Sequence, residues 1–175
     1  MNDNFAEIMY HFFRHRIPLG LSVLLVILFC MPLEFFELSG LRPQVGIICV
    51  YYWVEKRPYI FGPISAFLLG LLTDVCCATP LGINCFLLMM LAFSLNKIYH
   101  YFHPASCVID WLFFALNVMC FALLKWLIFA IYFSDFLNFV TIMPNIFSTI
   151  MFYPLIAYIN NWFMNKYLPP ERINE

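Results

Sequence analysis

The sequence predicts an all-α fold, a polytopic membrane bundle of six transmembrane helices. Composition is the first reason: of 175 residues, 64% are hydrophobic and 11% are charged, whereas ordinary soluble domains carry about 25% charged residues. Nine basic and ten acidic side chains are too few to cover a soluble surface, but in lipid apolar side chains can face outward. The net charge of −1 gives no support to a nucleic-acid surface. The length suits one bundle without a second domain.

Six apolar stretches are the second reason, because a transmembrane helix needs about 20 mostly apolar residues. They cover residues 17–33, 45–54, 58–73, 81–95, 108–133 and 142–164. The second and fourth are short, and Asp110 and Lys125 interrupt the fifth. The first follows Arg14 and Arg16 but is too long for the core of a signal peptide and lacks a small-residue cleavage site. We interpret it as a retained helix.

The distribution of basic residues is the third reason. With the N-terminus inside, seven basic residues fall on the inner side and one, Arg42, on the outer side, which is a strong positive-inside bias. A re-entrant hairpin made from the second and third stretches would bury Glu55, Lys56 and Arg57, at about 2.5–3.5 kcal/mol for each charge near the bilayer centre. Six crossings cost less, so both termini are expected to be cytoplasmic.

The segments that flank the bundle are short. Residues 1–16 have apolar side chains at helical spacing, Phe5, Ile8, Met9 and Phe12, which predicts an amphipathic helix on the cytoplasmic surface; a frayed tail is the alternative. Residues 17–165 form the predicted transmembrane domain, and 166–175 form a cytoplasmic tail. No extramembrane domain remains to hold a soluble active site.

Catalytic and metal-binding patterns are weak in this sequence. His100 and His103 are three residues apart, but Cys107 is the only further ligand type close by, so interface histidines are the simpler interpretation. The seven cysteines have no zinc-type spacing. No phosphate-binding loop and no Ser-His-Asp group can be assembled. We therefore expect no enzyme activity, no cofactor and no metal.

The third stretch carries the most informative pattern. Gly62, Ala66, Gly70 and Asp74 recur every four residues and therefore share one helix face. Small residues at this spacing allow close approach of a second helix, which is either a neighbour in the bundle or a partner's helix. Leu69 lies off this face and is expected to tolerate truncation better than Gly70 tolerates enlargement.

Asp74 ends that face near the outer interface, and a buried acid needs a cation or hydrogen-bond donors. Arg42 and Lys125 are both possible ion-pair partners, and the sequence does not choose between them. An interhelical clamp is the simpler role for Asp74, and a transport site is the alternative. Thr79 and Pro80 then predict the N-cap and first residue of the next helix.

These motifs resemble those of the rod shape-determining protein MreD family. The matching features are Arg42-Pro43 at the start of a short apolar stretch, the basic turn after it, and Gly70-Leu-Leu-Thr-Asp74 followed, after six intervening residues, by Leu81-Gly82. The resemblance is clearest from about residue 41 to 95, and total length and six spans agree throughout. Lys125 in the fifth stretch matches no motif of the family.

The resemblance implies a non-enzymatic component of the bacterial cell-elongation machinery in the inner membrane. Members bind MreC, a single-span periplasmic protein. At the level of the complex they join MreB filaments to the elongation glycosyltransferase and its penicillin-binding transpeptidase, which build lateral peptidoglycan. The fold would be similar to the substrate-binding subunits of energy-coupling-factor transporters.

A second function class stays open on the sequence, a solute-binding membrane subunit of a transporter. It would need a cavity lined by several convergent polar groups. The candidates are Asp74, Asn84, Asn117, Asn145 and Ser148.

Overall fold

The computed structural model describes residues 2–30, 43–99, 106–133 and 142–167, with side chains from Arg16 onward in the first helix and up to 132 and 166 in the last two. These residues form six α-helices, which confirms the all-α prediction. The helices are α1 (Asn2–Cys30), α2 (Val45–Lys56), α3 (Pro63–Cys76), α4 (Ile83–Tyr99), α5 (Cys107–Phe133) and α6 (Met143–Tyr167). Arg42, His100 and His103 lie outside the described residues.

Helix α2 forms the centre of the bundle. Its first ten residues, 45–54, are all buried, and it packs against α1, α3, α4 and α6. A helix that is apolar on every side is stable only when it is surrounded, which explains why this short stretch occupies the core. Helix α3 makes its most extensive contacts with α4.

The outer helices turn apolar side chains away from the core. Large exposed side chains occur along α1, α3, α4, α5 and α6, for example Leu28, Ile64, Phe93, Leu116 and Phe147. Polar side chains are buried between the helices instead: Ser22, Thr73, Asp74, Asn84, Ser148, Thr149 and Asn160. Exposed large apolar side chains along five of the six helices fit helices that face lipid.

The described helices differ in length relative to a membrane. Among the described residues, one helix, Cys107–Tyr132, is long and apolar enough to cross a membrane, and three shorter apolar helices are Arg16–Cys30, Pro63–Cys76 and Ile83–Tyr99. With 12, 14 and 17 residues, α2, α3 and α4 are about 18, 21 and 26 Å long. A hydrocarbon core is about 30 Å thick.

The third helix begins later than the sequence predicted. Residues from Arg57 to Gly62 form a turn in which the Ile60 and Phe61 amides both donate to the Arg57 carbonyl, at 3.0 and 3.1 Å. Pro63 occupies the first turn of α3, where its missing N–H costs nothing. Helix α1 runs from Asn2 through Pro18 without interruption, so the segment 1–16 continues into the first apolar stretch; its predicted surface location is untested.

Candidate functional site

Asp74 lies in the last turn of α3 with no solvent exposure, and both of its carboxylate oxygens are saturated. Oδ1 accepts from Thr79 Oγ1 at 2.7 Å and from Asn84 Nδ2 at 2.8 Å, and Oδ2 accepts from the Gly82 amide at 2.9 Å. The amides of Asn84 and Cys85 lie at 3.2 and 3.4 Å. These amides open α4, where helical N–H groups have no partner and favour negative charge. Asp74 therefore caps α4 from the preceding helix.

The turn between α3 and α4 brings the carboxylate to these donors. Helix α3 ends with the Cys77 amide bonded to the Thr73 carbonyl and the Thr79 amide bonded to the Asp74 carbonyl, at 2.9 and 3.1 Å. This is a Schellman ending, in which Ala78 adopts the left-handed conformation with φ 50°. Gly82, with φ 105°, then aims its amide back at Asp74.

Thr79 does not start α4, so the predicted N-cap was wrong. The helix begins at Ile83, and the Thr79 hydroxyl donates to Asp74 instead. A carboxylate from outside the helix replaces the local cap that the Thr-Pro pair suggested.

Gly70 is the closest point between α3 and α4. A Cβ at Gly70 would lie 2.5 Å from the Cys85 Cα and 2.7 Å from its amide nitrogen, which are backbone atoms that cannot move aside. Ala66 on the same face is fully buried, whereas a Cβ at Gly62 would meet nothing within 4 Å. The small-residue face therefore packs inside the chain at Ala66 and Gly70. Leu69 is also fully buried, so it is not the tolerant position that the sequence suggested.

Lys125 reaches Asp74 through Asn84. Its Nζ donates to Asn84 Oδ1 at 3.1 Å, and the amide nitrogen of Asn84 donates to Asp74. Asp74 and Lys125 form no direct ion pair within 4.0 Å, so this one of the two possible pairs is bridged by Asn84. The α4 amides occupy the oxygens that a cation would need. Arg42 lies outside the described residues, and its relation to Asp74 stays a prediction.

A cavity of ≈ 220 Å³ opens beside Lys125 at the end of the bundle that holds Asp74. All six helices contribute to it: its lining includes Cys30, Cys76 and Cys77 at helix ends, the start of α2 after Pro43, and Asn145 near the start of α6. Its polar lining consists of Gln44, Thr73, Asn84, Lys125 and Asn145, and its apolar lining includes Val26, Phe29, Leu88 and Phe121. Leu81, which the sequence analysis placed among the interface residues, is not part of this lining and is 71% exposed.

The cavity gathers some of the polar residues that a solute site would need. Asn84 and Asn145 line it, and Asp74 lies directly behind Asn84. Asn117 donates to the carbonyl of Phe113 one turn earlier in its own helix, at 2.8 Å, and is not in the lining.

A second polar cluster, missed by the sequence analysis, surrounds Asp110 at the start of α5. The Tyr51 hydroxyl donates to Oδ1 at 2.7 Å and the Tyr153 hydroxyl to Oδ2 at 2.6 Å. The Tyr99 hydroxyl donates to that of Tyr51 at 2.7 Å, and the Phe114 ring stacks on Tyr153 at 4.1 Å. One carboxylate thereby ties α2, α4, α5 and α6 together. Its only sequence signal was an acid inside an apolar stretch.

In the part of the chain that the structure describes, no three His, Cys, Asp or Glu side chains form a group that could hold a metal ion. Cys30 Sγ and Cys77 Sγ lie 3.4 Å apart at the ends of α1 and α3. Cys85 is buried behind Asp74, and its thiol donates to Oδ2 at 3.5 Å.

Comparison with known proteins identifies one family. The family model described as rod shape-determining protein MreD matches residues 9–163. No curated protein and no solved structure matches the chain. The matched region contains the whole Asp74 site, the cavity and the Asp110 cluster. The chain belongs to the MreD family of non-enzymatic membrane proteins that determine rod shape.

Proposed function

We propose that this chain binds MreC in the bacterial inner membrane and helps couple MreB filaments to lateral peptidoglycan synthesis. The observation that carries the proposal is the family match over residues 9–163. The chain's architecture is consistent with a scaffold. Asp74, Asp110 and their partners fasten helices to one another, and many large apolar side chains of the outer helices face outward.

Six crossings with both termini in the cytoplasm are the proposed topology. The cavity supports it, because the end of α1, the start of α2, the end of α3 and the start of α4 all meet there, together with the late part of α5 and the start of α6. Successive helices thus run in alternating directions. Basic residues support the same orientation: Arg16, Lys56, Lys97 and Lys166 belong to the opposite end of this up-and-down order.

The short helices do not rule out six crossings. Helix α2 is shielded from lipid by its neighbours, so its length need not match the hydrocarbon core, and local bilayer thinning accommodates short outer helices. Bonded turns at the ends of α3 extend the structured chain beyond the helix itself.

Affinity purification from the native bacterium tests the proposed partner. The tagged chain, extracted in mild detergent, is expected to recover MreC well above the amount recovered with an unrelated tagged multi-pass protein. Cells depleted of the chain are expected to widen and lose rod shape. Folded chain that recovers no MreC, from membranes that contain MreC, would contradict direct binding.

A solute-binding transporter subunit is the second candidate, and the cavity is the observation that favours it. It predicts co-purification with an ATPase-containing transporter complex in place of MreC. The identity of the recovered partners distinguishes the two candidates.

A further inference from the structure

The cavity beside Lys125 combines a cation with the start of a helix. Gln44, Val45, Gly46 and Ile47, which open α2, all line it. Helix α2 has no acidic residue in its first turn and no side-chain cap on Gln44. The first amides of a helix favour an anion. The amides of Gln44, Val45 and Ile47 already donate within the chain, at 3.0, 3.0 and 3.1 Å, so the start of α2 offers the cavity the positive end of its helix dipole rather than free N–H groups.

Lys125 carries a charge without a carboxylate partner among the described residues. Its ammonium has three N–H donors, and among the described residues it donates to a neutral oxygen, Asn84 Oδ1. No carboxylate of the described chain lies within 4.0 Å of Nζ, and Asp74 is saturated by α4. Because a partly buried charge is costly unless it is paired, an anion in the cavity would stabilise both Lys125 and the start of α2.

The size and walls of the cavity select the kind of anion. Pockets that enclose a drug-sized molecule measure about 300–1,000 Å³, whereas this cavity measures ≈ 220 Å³. A volume of this size suits a small charged group, such as the headgroup of a lipid. Phe29, Leu88 and Phe121 supply apolar wall beside the polar groups. On the proposed topology Lys125 lies 18 residues after Cys107, about 27 Å from the inner end of α5, which is near the depth of outer-leaflet phosphates.

We propose that this cavity binds the phosphate group of an anionic phospholipid, with Lys125 as its counter-ion and the positive end of the α2 dipole as a second source of attraction. Inorganic phosphate shares this chemistry, and the experiment separates the two sources. The site goes beyond the shape-determining role and does not depend on MreC binding.

The test uses the full chain purified in detergent with its own lipids removed. Phosphatidylglycerol, phosphatidylcholine and inorganic phosphate are added separately, and binding is followed by native mass spectrometry and by the thermal unfolding temperature. We expect one phosphatidylglycerol per chain, a raised unfolding temperature, and little effect of phosphatidylcholine. An equal effect of inorganic phosphate would support the site and assign it to free phosphate.

Three lysine variants make the test specific to the cavity. Lys125→Gln keeps a donor for Asn84 but removes the charge. It should weaken the binding of phosphatidylglycerol at least about tenfold, or about 1.4 kcal/mol. Lys125→Arg should retain binding. Lys97→Gln removes a charge from an exposed position on α4 and should also retain it. Binding that is equal in wild type and Lys125→Gln, or no binding of either anion to the wild type, would overturn the proposal.

Discussion

Asp74 shows how one buried charge is accommodated without a facing cation. Its two oxygens receive a hydroxyl, a side-chain amide and backbone amides within 3.4 Å. A carboxylate that accepts several N–H bonds at a helix start is stabilised by those bonds and by the helix dipole. Lys125 does not bond to the carboxylate directly; its ammonium donates to Asn84, which in turn donates to Asp74. The role of the acid is therefore to hold α3 to the beginning of α4.

Replacing Asp74 by Ala should strand these donors in the interior. Each buried donor that loses its partner costs about 1–3 kcal/mol, so Asp74→Ala should lower the unfolding temperature in detergent strongly. Thr79→Val removes one donor with little change of shape and should cost about 1 kcal/mol. If Asp74→Ala unfolds at the wild-type temperature, the acid does not clamp these helices.

Gly70 offers a test of the close packing between α3 and α4, because its replacement by Ala adds one methyl group and no polar atom. Gly70→Ala places a methyl 2.5 Å from the Cys85 Cα, and overpacking of this kind costs about 1–3 kcal/mol. Gly20→Ala is the matched control, because Gly20 lies in α1 with nothing within 4 Å of its added Cβ. That change should stabilise the helix by about 0.5–1 kcal/mol. Unfolding temperatures that move in the same direction would refute the close contact.

The sequence located Asp74 and Gly70 correctly on one face of α3, because a four-residue spacing fixes that geometry. It did not locate the partner of Asp74. Two donors are the side chains of Thr79 and Asn84, and the others include the backbone amides of Gly82, Asn84 and Cys85. Backbone amides leave no mark in an amino-acid sequence; for these, the trace was Gly82 itself, whose φ of 105° favours glycine.

At the scale of the elements, two carboxylates fasten the bundle at different places. Asp74 joins α3 to α4, and Asp110 joins α5 to α2 and α6 through the hydroxyls of Tyr51 and Tyr153. Tyr99 extends the second cluster to α4. Polar bonds of this kind hold membrane helices together where apolar burial gives no preference between protein and lipid.

Tyr153→Phe tests the second clamp while keeping its ring. The Phe114 stack at 4.1 Å is preserved, and the bond to Asp110 at 2.6 Å is lost. Hydrogen bonds to charged groups contribute about 1.5–3 kcal/mol, so the free energy of unfolding should fall by that order. Tyr158→Phe on the same helix, 72% exposed, should have an effect within about 0.5 kcal/mol. Equal effects of the two changes would exclude a clamp at Asp110.

Composition and apolar periodicity were sufficient to predict six helices, but not all of their boundaries. The third helix was placed five residues too early because the stretch after Arg57 is apolar although it forms a turn. The tyrosines at 51, 99 and 153 were missed because they are far apart in sequence and look like ordinary apolar-face residues until the fold brings them to Asp110.

At the scale of the whole molecule, exposed apolar side chains and buried polar side chains occupy different parts of the described bundle. Apolar side chains cover the outside of the described bundle, polar side chains lie between helices, and the cavity opens at one end. On the proposed topology little of the chain lies outside the membrane, so helix faces and short turns are the surfaces that it offers to binding partners. The exposed Leu81, within the motif that resembles the family, belongs to such a turn.

Residue-by-residue labelling in cells tests the proposed topology most directly, since the outward cavity and the cytoplasmic termini both depend on it. Single cysteines are introduced into a cysteine-free chain at Leu81 and Asp135 for the outer side, and at Tyr59 and Ile173 for the inner side. Leu81 and Tyr59 are 71% and 92% exposed, so a membrane-impermeant thiol reagent can reach either one from its own side. We expect Leu81→Cys and Asp135→Cys to be labelled in intact cells, and Tyr59→Cys and Ile173→Cys only after the membrane is opened. Labelling of Tyr59→Cys in intact cells would contradict six crossings with cytoplasmic termini.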